Sequence, residues 1–108
     1  MTQKLLFICT RNRFRSPTAE QVFSTWDGVE CDSAGLAPDA VVSLSTEQLD
    51  WADVVFVMEK AHRNKLAKKF KERLKGKRVI VLGVPDEFDF MEEGLVRLLK
   101  MKVPQFLR

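Results

Sequence analysis

Cys9 and Arg15 frame the segment CTRNRFRS, with five residues between the thiol and the guanidinium and Ser16 immediately after. A segment that runs from a strand end into a helix start lets its backbone amides curl inward around an anion, and the helix end adds partial positive charge. A thiol at the base of such a cradle feels the amide dipoles, the helix end and Arg15. All of these favour the thiolate, which is the nucleophilic form. Arg15 brings a planar fork that holds two phosphate oxygens at once and tightens as charge redistributes in a transition state. Ser16 has two available roles, donating its hydroxyl to the thiolate and capping the helix. The residues between, Thr10, Arg11, Asn12, Arg13 and Phe14, would line the anion site. Arg11 and Arg13 either attract anionic substrates or are plain exposed arginines.

The elements needed to position this loop are legible on either side of it. Four short apolar runs read as strands, at Lys4 to Cys9, Val29 to Ser33, Val54 to Met58 and Arg78 to Leu82. Their continuous apolar character predicts parallel strands covered on both faces. Between them lie helical patterns. Ala19, Val22, Phe23 and Trp26 recur at helical spacing after Ser16 as N-cap and Pro17 as first helical residue. Ser45 and Gln48 form a capping-box spacing for a short helix through Leu49 and Trp51. Leu66, Phe70 and Leu74 lie at four-residue intervals in a helix over Ala61 to Leu74, and a last helix carries Met91, Leu95, Leu98 and Leu99 inward until Pro104 ends it. The order β-α-β-α-β-α-β-α implies right-handed crossovers and a single α/β doubly wound domain, with a four-stranded parallel sheet in the order 2-1-3-4 flanked by helices. In such a sheet ligands bind beyond the C-terminal strand ends, at the switch in winding between strands one and three. Cys9 ends strand one.

Composition narrows the field of functions. The 108 residues, 45% hydrophobic and 31% charged, fit one domain over residues 1–108. The apolar run at Leu5 to Cys9 is too short for a signal-peptide core or a membrane span, so the reading is a cytoplasmic protein without a membrane partner. Two cysteines, Cys9 and Cys31, allow at most one bridge, and neither a disulfide framework nor a structural zinc spacing is present. No metal or other cofactor is expected. The net charge is +3, but Lys60 to Arg78 holds ten Lys or Arg residues against Glu72 alone. Without interleaved aromatics this stretch reads as a solvated helix face, with nucleic acid an unlikely partner. His62, the sole histidine, is read as a surface residue, and Cys31 as a small buried thiol.

The run KLLFICTRNRFRSPTAE, continued by DSAG at Asp32 to Gly35, resembles the N-terminal part of the low-molecular-weight protein tyrosine phosphatases, whose loop reads Cys-x5-Arg-Ser followed by Pro-x-Ala-Glu. The resemblance implies a short bacterial-type member, a phosphate monoester of a protein or small molecule as substrate, and a cysteinyl-phosphate intermediate. It also implies loop-shaping hydrogen bonds from Asn12, joined by Ser33, and a structural role for Glu59 after strand three. The family's general acid lies in an Asp-Pro-Tyr motif after strand four, where this chain has Pro85-Asp86-Glu87-Phe88-Asp89-Phe90. Asp86 is the first choice for the acid and Asp89 the reserve. Either would protonate a leaving oxygen that departs poorly as an alkoxide or phenolate. Helix capping is the competing role for both aspartates. The chain departs from the family at Arg11, where a glycine is usual, at Phe14, where many relatives have a second cysteine, and in having no tyrosine at all.

Two other functions share these features. Arsenate reduction would use the same loop, but commonly needs further cysteines near it or a glutathione-coupled route. A non-enzymatic module would bind phosphorylated partners through the loop, although a binding loop has no need of a thiolate.

Overall fold

The computed structural model describes residues 2–107. Its four strands are β1 (Gln3–Cys9), β2 (Val29–Gly35), β3 (Val54–Val57) and β4 (Arg78–Val81), all parallel, in the order β2-β1-β3-β4. The helices are α1 (Arg15–Phe23), α2 (Thr46–Trp51), α3 (Lys60–Phe70) and α4 (Glu93–Lys102), with 3-10 turns at Lys71–Leu74 and Pro104–Phe106. The expected doubly wound sheet and its strand order are therefore present.

Strand β1 is central because both its faces are apolar. Leu5, Leu6, Phe7 and Ile8 are fully buried, which at about 2 kcal/mol for a large apolar side chain makes this strand a main source of stability. The two-residue alternation of a strand sends successive side chains to opposite cores. Leu5 and Phe7 join Val54, Phe56, Ala19, Phe23, Leu95 and Leu99 on the face covered by α1 and α4. Leu6 and Ile8 join Val55, Val57, Leu49 and Leu66 on the face covered by α2 and α3. Rings pack on the first face, with Phe7 stacked on Phe23 and on Phe56 at centroid separations of 5.9 and 5.2 Å.

Several sequence expectations shift. Ser16 is not the N-cap of α1, because the helix begins at Arg15 with Phe14 in the cap position and no side-chain cap bond. Trp26 lies beyond α1, 36% exposed, with its ring edge on Phe23. The third helix stops at Phe70 and only a 3-10 turn carries on to Leu74, although Phe70 and Leu74 still pack on the core beneath. Met91 precedes α4 at φ 60° rather than lying in it. By contrast, the Ser45 and Gln48 capping box forms as expected at the start of α2. Part of the basic segment is tied down: Arg73 pairs with Asp50 at 2.8 Å, and Lys77 donates to the Ala52 carbonyl at 2.7 Å. Among the described residues no helix is long and apolar enough to cross a membrane.

Candidate active site

The C-terminal end of β1 faces a cleft of about 110 Å³ lined by Cys9, Thr10, Arg11, Arg13, Phe14, Arg15 and Asp86. The loop that makes its floor is held from behind by the chain leaving β2. Leu36 N–H donates to the Cys9 carbonyl at 3.1 Å, Ala37 N–H to Thr10 at 2.9 Å and Val41 N–H to Arg11 at 3.0 Å. With these carbonyls engaged at the back, the peptide units present their amides toward the cleft. The Asn12 amide lies 3.3 Å from Cys9 Sγ. Among the described residues the amides of Arg11, Arg13 and Phe14 donate to no protein acceptor, so they are available to an anion. The uncapped start of α1 serves the same end, since a side-chain cap there would occupy donors that an oxyanion can take.

Gly35 makes this backing possible. A Cβ at that position would lie 2.6 Å from Ala40 Cβ, 2.7 Å from the Thr10 carbonyl oxygen and 2.9 Å from the Arg11 carbonyl carbon. The glycine of DSAG is thus where β2 presses against the loop.

Asn12 organises the interior of the loop. It adopts φ 57°, a left-handed conformation that asparagine tolerates better than most residues. Its two side-chain N–H groups donate to Ser16 Oγ at 2.8 Å and to Ser33 Oγ at 2.9 Å. Because both hydroxyls accept from Asn12, each directs its own proton elsewhere. Ser33 donates to the Glu20 carboxylate. Ser16 Oγ lies 2.9 Å from Cys9 Sγ and 3.4 Å from the Ala34 carbonyl, so the sulfur is the nearer acceptor. Of the two roles the sequence left open for this hydroxyl, the contact with the sulfur is present and the helix cap is not. Cys9, Asn12, Ser16 and Ser33 are all buried.

Arg15 is only 2% exposed, so its charge needs partners. One terminal nitrogen donates to Glu59 Oε2 at 2.6 Å and to the Val84 carbonyl at 2.8 Å. Its Nε lies 3.7 Å from Asp86 Oδ1. The hydrogen bond from Arg15 holds the Glu59 carboxyl below its ordinary range, against the opposing effect of burial. Glu59 is therefore more than a structural residue after β3: it orients the guanidinium that lines the cleft. Its position at the end of β3, beside β1 at the switch crevice, was the available signal.

The structure overturns the reading of His62 as a surface residue, since it is 4% exposed. Its Nδ1 lies 3.1 Å from the Glu59 amide nitrogen and its Nε2 lies 2.9 Å from Thr10 Oγ1. Burial first, and then the nearby positive charges of Arg15 and Lys65, push its pKa below the ordinary value. The Glu-x-x-His spacing, a capping box at the start of α3, was visible in the sequence but masked by the surrounding lysines.

Of the two aspartates, only Asp86 lines the cleft. Asp89 forms a turn in which its amide donates to Glu92 Oε1 at 3.2 Å and its carbonyl accepts from the Glu92 amide at 3.1 Å. The segment between β4 and α4 is anchored to α1 where the Met91 amide donates to Thr18 Oγ1 at 2.9 Å. Phe88 packs on the core and Phe90 is exposed, so the aromatic wall of the cleft is Phe14. Cys31 is half-buried, and its thiol is pushed up to about 12 by burial and by Glu20. It pairs with Leu5 while Gly35 pairs with Cys9, four residues further along the strands. At about 3.3 Å per residue, Cys31 lies on the order of 13 Å from the loop.

No family model and no curated protein matches this sequence. Solved structures do. The tyrosine phosphatase Wzb from Escherichia coli K30, in complex with phosphate, aligns with a TM-score of 0.78 at 18% identity over 98% of this chain and 96% of that one. The low-molecular-weight protein tyrosine phosphatase from T. tengcongensis aligns with a TM-score of 0.75 at 23% identity, covering 98% and 100%. The YwlE arginine phosphatase from Geobacillus stearothermophilus aligns with a TM-score of 0.73 at 23% identity, covering 91% and 88%. The chain has the low-molecular-weight protein tyrosine phosphatase fold. At these identities the likeness speaks for the fold, and the chemistry must be argued from the loop. Within that fold, the Cys9 loop occupies the switch crevice where β1 and β3 send their helices to opposite faces of the sheet.

Proposed function

We propose that the chain is a cysteine-dependent phosphomonoester hydrolase that works through a cysteinyl-phosphate intermediate. The observation that carries this reading is the convergence on Cys9 Sγ of the Asn12 amide at 3.3 Å and the Ser16 hydroxyl at 2.9 Å, beneath a cleft that Arg15 and Asp86 also line. Hydrogen bonds and amide dipoles aimed at a sulfur favour its anion. In the first step the Cys9 sulfur forms a bond to phosphorus as the bond to the leaving oxygen breaks. Arg15 and the free loop amides hold the equatorial oxygens, and Asp86 gives its proton to the leaving oxygen. In the second step the Asp86 carboxylate takes a proton from water, the water oxygen bonds to phosphorus, and the S–P bond breaks to return the thiolate and inorganic phosphate. Neither step calls for a metal or an organic cofactor.

The substrate class is a phosphorylated protein or a small phosphomonoester. Phe14 offers an apolar wall to the leaving group, while Arg11 and Arg13, both exposed at the mouth, suit anionic surroundings. A cytoplasmic location belongs to the same proposal, because a reducing compartment keeps Cys9 free. The placement of Cys31 argues against a second-thiol route for arsenate, since a thiol about 13 Å away cannot resolve an adduct on Cys9 without large movement of β2.

The test is p-nitrophenyl phosphate hydrolysis by the wild type and by Cys9→Ser, Asp86→Asn and Asp89→Asn. Hydrolysis abolished by Cys9→Ser, cut about a hundredfold or more by Asp86→Asn and little changed by Asp89→Asn is the expected pattern. A wild type without turnover, or a Cys9→Ser variant that keeps it, sinks the hydrolase reading. Orthovanadate binding without hydrolysis would instead support a binding module, and arsenite release with glutathione a reductase.

A further inference from the structure

His62 is buried, titratable and without a part in the two chemical steps, yet both its ring nitrogens are engaged. The Glu59 amide can only donate, so Nδ1 at 3.1 Å is an acceptor and the proton of the neutral ring sits on Nε2. Nε2–H then donates to Thr10 Oγ1 at 2.9 Å. Thr10 is the first residue of the loop after Cys9. At the loop's other end, Arg15 is held by the carboxylate of Glu59, the residue whose amide His62 accepts. The two ends of the loop are thus gripped by two side chains of a single helix start, three positions apart and tied to each other.

We infer that Glu59 and His62 form one clamp, in which neutral His62 positions Thr10, Glu59 positions Arg15, and protonation of the ring unseats it from the Glu59 amide that fixes its place against Thr10. The inference rests on the hydrolase reading above. A proton on Nδ1 would face the Glu59 N–H, two donors in opposition, so the imidazolium breaks the link that holds ring and helix cap together. The charged groups around the ring come from three directions. Arg15 on α1 and Lys65 on α3 favour the neutral ring, whereas Glu59 before α3 and Asp86 after β4 favour the cation. A ring unseated from the Glu59 amide shifts Thr10 and the amides that follow it, and a reacting geometry tolerates little displacement. Glu59 and His62 touch the loop and not the reacting atoms, which makes them positioning residues.

The test is a double-mutant cycle of His62→Asn and Thr10→Val. Asn places its Oδ1 near the position of Nδ1, so it keeps an acceptor for the Glu59 amide but does not reach Thr10. On p-nitrophenyl phosphate, each single variant is expected to lower kcat about tenfold with KM within about twofold, as for an interaction that counts in the transition state. The double variant is expected to be no worse than either single one. The pH dependence of kcat in the wild type should carry a component below pH 6.5, the ordinary value from which the ring is lowered, that His62→Asn removes. The clamp is overturned if the two losses multiply to about a hundredfold, if His62→Asn lowers only the melting temperature, or if its pH profile matches the wild type. Should the wild type not turn over substrate, the hydrolase reading fails separately and the clamp is read by inorganic phosphate titration of the loop amides by NMR. A phosphate affinity about tenfold weaker in both single variants then supports it, and unchanged affinity overturns it.

Discussion

Asn12→Ala tests the interior of the loop most directly. The substitution deletes both side-chain donors, at 2.8 Å to Ser16 and 2.9 Å to Ser33, inside a buried network. Each such bond is worth about 1 kcal/mol net. The new alanine must also hold φ 57°, which costs a residue with a Cβ and no local hydrogen bond about 1 kcal/mol more. The expected loss is about 3 kcal/mol in urea unfolding, equivalent to about 12 to 20 °C in Tm for a chain of this size. Asn12→Gly separates the two causes. It loses the same bonds but takes the left-handed conformation readily, so it should be less destabilised than Asn12→Ala by up to about 1 kcal/mol. With Ser16 freed from Asn12, its hydroxyl is no longer directed at Cys9, and p-nitrophenyl phosphate turnover should fall at least about tenfold in both variants. An Asn12→Ala variant within about 0.5 kcal/mol of wild type would refute the account of the network, since that is the spread of an ordinary surface substitution. Equal losses for Ala and Gly would refute the backbone part of it.

Three further outcomes are expected. Gly35→Ala puts a Cβ within 2.7 Å of the Thr10 carbonyl oxygen and 2.9 Å of the Arg11 carbonyl carbon, where backbone must yield. Unfolding stability should drop by about 1 to 3 kcal/mol and kcat/KM by about a hundredfold, and a variant of unchanged activity would show that the loop does not depend on this contact. Folded His62 has a pKa below its ordinary 6.5, so below that pH the unfolded chain takes up a proton that the native chain resists. Urea midpoints should be level above about pH 7 and fall as the pH drops toward 5, with a shallower fall in His62→Asn; parallel curves for the two proteins would count against a buried neutral ring. With its thiol pushed up to about 12, Cys31 should resist iodoacetamide at pH 8 while Cys9 is alkylated, with orthovanadate protecting Cys9. Mass spectrometry of the folded protein should find one adduct and of the urea-unfolded protein two. Labelling of Cys31 in the fold at a rate close to that of Cys9 would overturn the assignment.

Much of this architecture is local information. The strand runs, the Ser45 and Gln48 cap and the strand order follow from apolar periodicity, turn chemistry and the handedness of crossovers, which act over a few residues or a single βαβ unit. The loop is local too. Cys9, Asn12, Arg15 and Ser16 lie within eight consecutive residues, so their types and spacing could be read together. The helix start was misread by two residues because a serine before a proline looks the same whether its hydroxyl meets a backbone amide or a thiol. The direction of that hydroxyl depends on Asn12 and on Ser33, seventeen positions beyond Ser16, and hence on the pairing of β1 with β2.

The partners of the loop are distant in the chain, and no local pattern announces them. Glu59 and Val84 reach Arg15 across 44 and 69 positions, and His62 reaches Thr10 across 52. Composition pointed the other way for His62, since a histidine among lysines resembles a solvated face until the packing of α3 turns it inward. Asp86 and Asp89 differ by three positions and share a residue type, and what separates them is the path of the chain between β4 and the Met91 anchor on α1. Local sequence specified the Cys9 thiol and its cradle because helix starts, strand ends and turn residues are short-range devices. The carboxylates and the imidazole that orient that cradle were settled by the folding of the sheet, which brings three strand ends to one crevice.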